Sequence, residues 1–145
     1  MRLELPPAPT PSGAYRPVMV VGDLAYLSGF GPRDVTGNPI VGMVGAEFDL
    51  EQSQAIARGI ALTMLSALQD ELGDLDRIRQ MARVTGMIAC TPGFTRHPAV
   101  LDGASNTFLK ILGPQRGAHA RMAYGVASLP HGSPVAIDAV VWVRG

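Results

Sequence analysis

Cysteine is almost missing from this chain. Cys90 stands alone, which excludes an internal disulfide and fits a reducing cytoplasm. Charge of either sign is not in excess, since 12 Lys and Arg face 12 Asp and Glu for a net charge of zero. No overall field therefore draws the protein to nucleic acid or to an anionic membrane. Aromatic residues make up only 6%, too few to suggest a platform for stacking bases. No apolar run reaches the roughly 18 residues of a membrane span, and no basic segment followed by an apolar one opens the chain. The expectation is a cytoplasmic protein with neither nucleic acid nor membrane as partner.

Familiar catalytic signatures are missing too. His97, His119 and His131 are scattered without the paired spacing that metal ligands need, and Cys90 has no partner histidine at a motif-like interval. No serine stands in a nucleophile elbow, and the glycines match neither the Walker nor the dinucleotide interval. Neither a metal nor a cofactor is expected.

What the chain has in plenty is apolar side chains, 47% against 17% charged. Its 145 residues suit one domain, residues 1–145, which buries about two-thirds of its unfolded surface. So apolar a composition implies further burial between subunits.

The proline-rich run 6–13 forbids a helix or a central strand and should lie extended, delivering Tyr15. Residues 16–21 and 24–28 are β-prone around a Gly22-Asp23 turn, which predicts a hairpin. Gly29-Phe30-Gly31-Pro32 then breaks the second strand; it is either a plain turn or a loop whose N–H groups approach a ligand. A short strand is expected over 40–44.

Asp49 as N-cap, Gln52 three residues on and Gly73 past the end bracket a long helix, with Ile56, Ile60, Met64, Leu65, Leu68 and Leu72 on its buried stripe. Residues 78–90 read as a strand ending in a core Cys90. Pro98 opens a second helix running to Leu112, with Val100, Leu101, Ala104, Phe108, Ile111 and Leu112 inward and Asp102, Ser105 and Asn106 on other faces. Residues 135–143 make a buried final strand, where Trp142 serves the core or a subunit contact. The order is hairpin, helix, strand, helix, strand, strand: an α+β fold with helices on one face of a mixed sheet.

Residues 117–130 form a nearly continuous apolar run in which Arg121 is the only full charge. Both faces of an extended 120–129 strand look covered, and a buried guanidinium left unpaired costs roughly several kcal/mol. Arg121 therefore meets either a carboxylate of the chain, Asp138 or another, or that of a ligand. His119 shares its side of the strand, followed by the small Ala123 and Gly125, which leave room for a guest.

Ala120-Arg121, then Gly125-Val126-Ala127-Ser128-Leu129-Pro130 and Val135-Ala136-Ile137-Asp138-Ala139, resemble the signature of the RidA (reactive intermediate deaminase A, YjgF/YER057c/UK114) family. Gly13-Ala14-Tyr15 with Leu24-Ala25-Tyr26-Leu27-Ser28-Gly29, and Gly73-Asp74-Leu75-Asp76, resemble two further segments of that family. The resemblance implies a chorismate-mutase-like fold, a homotrimer whose sheets pack inward, and ligand clefts between subunits. It also implies hydrolysis of a small imine or enamine derived from an amino acid. Arg121 would hold the substrate carboxylate, with Tyr15, Ser28, Gly29, Phe30, Gly31, Ala123 and Ala136 around it.

Two positions depart from the family pattern. Ala136 stands where active members carry a glutamate, and Ala123 replaces a cysteine. His119 either supplies the missing acid or base or is a surface histidine; Asp138, on the face of Ala136, is the second candidate. The expected partner is a small carboxylate metabolite, hydrolysed or, in the alternative reading, only bound. An endoribonuclease, an activity sometimes attached to this family, is disfavoured by the neutral charge and few aromatics.

Overall fold

The structure, a computed structural model, describes residues 4–11 and 13–145, so Ser12 of the proline-rich run lies outside it. Its elements are β1 (Val18–Val21), β2 (Leu24–Phe30), α1 (Leu50–Leu72), β3 (Ile78–Ala89), α2 (His97–Leu112), β4 (Ala120–Val126) and β5 (Val135–Val143). This is the expected order. The strands form one sheet, β1-β2-β5-β3-β4, antiparallel except that β4 joins β3 in parallel. The crossover through α2 makes that parallel pairing possible.

The ends of α1 follow from its caps. Asp49 accepts from the Gln52 N–H at 2.8 Å while the Gln52 side chain accepts from the Asp49 N–H at 2.9 Å, and the Gly73 N–H closes the helix on Gln69 O at 2.8 Å. α1 and α2 cross so closely at Gly103 that a Cβ there would run into the Gln54 carbonyl. Ile60, Met64, Leu65 and Leu68 of α1 and Leu101 and Phe108 of α2 bury themselves against Met81, Val84 and Ile88 of β3 and the alternate residues Val135 to Val143 of β5. Each such large side chain contributes about 1.5–3 kcal/mol on burial.

Two departures from expectation bear on the site. Residues 40–44 form no strand, because their donors are engaged elsewhere: Gly42 N–H bonds Gly132 O and Val44 N–H bonds Ala89 O. β2 does not stop at Ser28 but continues to Phe30 through a bulge. Leu27 faces Ala139 and Phe30 faces Ile137, so Ser28 and Gly29 together oppose the single residue Asp138.

The helices cover one face of the sheet only. On the other, register aligns Asp138, Thr85 and Met122 in one row and Ala136, Met87 and Tyr124 in the next. Met122 and Tyr124 are 51% and 43% exposed, which corrects the expectation that both faces of β4 are covered. β4 is an edge strand, and its second face looks away from the helices. Trp142 is likewise exposed, outside the core, with the Arg79 guanidinium 4.7 Å from its ring centroid.

Candidate functional site

A cavity of about 950 Å³ opens beside the bulge. Tyr15, Ser28, Gly29, Phe30, Gly31 and Ala136 all line it. Ser28 organises its wall: its N–H bonds Pro17 O at 2.9 Å and its hydroxyl donates to Arg16 O at 2.6 Å, pinning the segment that brings Tyr15 to the rim. The bulge turns the Ser28-Gly29 backbone out of regular pairing at the cavity wall.

Polar side chains also reach this cavity: Arg33, Asp34, His131 and Asp138. Asp34 is committed to its own loop, accepting the N–H groups of Thr36 and Asn38 at 2.9 and 3.0 Å and the Thr36 hydroxyl at 2.6 Å. The Thr36 hydroxyl leads the bonds that hold its carboxyl below the ordinary value. Asp138 differs, since burial pushes its carboxyl up, against the pull of the Thr85 hydroxyl and the Arg83 charge.

Arg121, His119 and Ala123 are not among the residues lining this cavity. Arg121 pairs in register with the buried Val84, so it points to the helix side of the sheet. There its Nη1 donates to Asp102 Oδ1 at 2.7 Å and to Ser105 Oγ at 3.1 Å. The partner is thus Asp102 rather than Asp138, which projects from the opposite face. Side-chain exposures of 24% and 51% make this a half-open pair, worth roughly 0–1 kcal/mol.

His119 is held at both ring nitrogens, not loose at the surface. Nδ1 lies 2.7 Å from Gly117 O, and a carbonyl only accepts, so Nδ1 carries the hydrogen. In the neutral ring Nε2 then accepts from the Ser105 hydroxyl at 2.8 Å. Ser105 therefore links Arg121 to His119. It is the residue that sequence reading missed, although its three-residue interval from Asp102 sets both on one helix face; Asn106 is exposed.

Although no histidine stands at a motif-like interval from Cys90 in the sequence, the fold places one beside it. Its Sγ lies 3.4 Å from His97 Nε2, and a Cβ at Gly125 would come within 2.9 Å of that sulfur and 2.7 Å of that nitrogen. Burial pushes the thiol's pKa up. Among the described residues no three His, Cys, Asp or Glu side chains cluster as metal ligands would, and no helix is long and apolar enough to cross a membrane.

Known proteins share this architecture. A family described as "YjgF/chorismate_mutase-like, putative endoribonuclease" matches residues 1–140. Protein TCP17 of Trypanosoma cruzi is 37% identical over 139 residues, 96% of this chain and 87% of that protein. The crystal structure of Agrobacterium tumefaciens Atu1372, of unknown function, is 37% identical with a TM-score of 0.85, over 89% of this chain and 82% of that one. A Shewanella oneidensis structure carrying the same endoribonuclease description is 30% identical with a TM-score of 0.91, over 97% of this chain and 93% of that one.

Proposed function

Because the chain belongs to the YjgF/chorismate-mutase-like family, we propose that it hydrolyses small imine or enamine intermediates derived from amino acids, in clefts completed between subunits of a homotrimer. The observation that carries this reading is the separation of the site into two halves. Tyr15, Ser28, Gly29, Phe30, Gly31 and Ala136 line a cavity at the uncovered sheet face, while Arg121 sits on the edge strand with its Nη1 engaged by Asp102 and Ser105. A second copy packed on the apolar face sets its edge strand against the cavity, so Arg121 of one chain meets the substrate held by another.

In this arrangement the fork of Arg121 takes the substrate carboxylate and orients the C=N carbon over the bulge. Asp102 occupies the guanidinium in the free protein and yields it at small cost, since their bond is half exposed. Tyr15 and the backbone N–H groups of residues 29–31 hold the rest of the substrate. His119, bonded through Ser105, keeps the arginine's side of β4 in position.

The test is release of ammonia and keto acid from an imino acid freshly generated by an amino-acid oxidase. The wild type should outpace buffer, and Arg121→Ala should not. Mixing Arg121→Ala chains with Ala136→Trp chains, whose cavity is blocked, should restore part of the rate, because some clefts then combine two intact halves. A wild type no faster than buffer across several such substrates would reject the hydrolase.

Ala136 favours a second reading, since a methyl group offers neither acid nor base where active family members carry a glutamate. The protein would then bind small 2-keto acids without turning them over. Calorimetric binding that Arg121→Lys removes, together with no catalysis, would select it.

A further inference from the structure

From the geometry we infer that Asp138 is the acid–base residue of the cleft, taking a proton from the attacking water and passing it to the departing nitrogen. The inference rests on the hydrolase reading above. Three placements carry it. Asp138 lines the same cavity as Tyr15 and Ala136. It is the one residue opposed by two in the β2–β5 ladder, so the irregular Ser28-Gly29 backbone lies directly across from it. Lastly, the small Ala136 precedes it by two residues on the same face, which leaves space beside the carboxylate for substrate and water.

The other candidates are less well placed. His119 is held at both nitrogens on the helix side. Asp34 lines the cavity but its carboxylate is spent on the turn of its own loop. Cys90 and His97 are not cavity residues.

The step balances without any added group. The carboxylate removes one proton from water as its oxygen bonds the iminium carbon, giving a carbinolamine. Asp138 returns that proton to the nitrogen, the C–N bond breaks with its electron pair, and ammonia leaves. The remaining hydroxyl proton passes to the carboxylate and then to solvent as the carbonyl forms.

The environment suits a group that must change protonation state. Burial raises the carboxyl's pKa while the Thr85 hydroxyl and Arg83 lower it. Thr85 and Arg83 reach it from β3; around the cavity stand Tyr15, Arg33, Asp34 and His131. Because His131 and Asp34 line the same cavity, the assignment needs a variant that acts on the Asp138 carboxylate alone.

The experiment is the pH dependence of kcat and KM on imino acid generated from alanine or leucine, for wild type, Asp138→Asn, Asp138→Glu and Thr85→Val, with thermal melts to confirm folding. Expected are a fall in kcat of about 100-fold for Asp138→Asn with KM little changed, and partial recovery in Asp138→Glu. The acidic limb should move to higher pH in Thr85→Val, which loses a bond that stabilises the anion. A folded Asp138→Asn within threefold of an active wild type, with the acidic limb in place, overturns the inference and leaves the hydrolase reading standing. A wild type no faster than buffer removes both.

Discussion

At residue scale, one substitution separates charge from geometry. Lysine at 121 keeps the positive charge but loses the planar fork, so Arg121→Lys should weaken a small 2-keto acid by roughly 10-fold or more in calorimetry while the melting temperature moves little. Asp138 makes a prediction of opposite sign for stability and function. Its folded carboxyl ionises above the ordinary value of 3.8, so the stabilisation it gives is full in acid and lost as pH rises through the folded value. Asp138→Asn should therefore raise the melting temperature at pH 7, with the gain shrinking toward pH 3, while impairing turnover. Arg121 also marks the limit of what residues alone disclose. That its guanidinium would find a carboxylate followed from the cost of leaving it bare; which carboxylate did not. Asp102 lies 19 positions away on α2, and the i,i+3 spacing of Asp102 and Ser105 says that they share a face without saying which strand it meets.

At the scale of elements, local signals were good guides where they are chemical. The Asp49–Gln52 capping box and the Gly73 stop bound α1 as expected, and Asp49→Ala should cost about 1 kcal/mol in denaturant unfolding without touching activity. Gly103→Ala should cost more, roughly 1–3 kcal/mol, because its methyl forces α1 and α2 apart against a backbone carbonyl. Neither the Gly103 crossing nor the bulge could be read from one strand or helix at a time. A bulge is a mismatch between two strands, and Gly29 looked like a strand end because its partner across the ladder, Asp138, lies more than a hundred residues on. For the same reason residues 40–44 looked strand-like: their apolar pattern is genuine, but their hydrogen bonds go to Ala89 and Gly132.

On the scale of the whole molecule, the excess of apolar residues anticipated an uncovered sheet face, and Met19, Tyr26, Met122, Tyr124 and Trp142 account for it. If the proposed trimer forms through this face, introducing charge there disassembles it: Tyr124→Glu should sediment as a monomer and lose the proposed activity together with assembly, while Lys110→Glu, on the exposed side of α2, should do neither. The edge strand explains why the site was only half legible. Motifs identified both groups of residues, but the sheet turns Arg121 and Ala136 to opposite faces of one chain, a separation that no interval along the sequence reports.

The Asp102–Arg121 contact has a bearing on selectivity. A carboxylate tethered to the same chain competes at a fixed local concentration, on the millimolar scale for a short flexible connection, however dilute the protein. A free acid that offers nothing but its charge must compete with it, at a cost of about 0–1 kcal/mol for a half-exposed pair. In the proposed cleft a molecule that also engages the groups across it offsets this competition, whereas simple anions such as acetate or chloride are weakened by up to about fivefold.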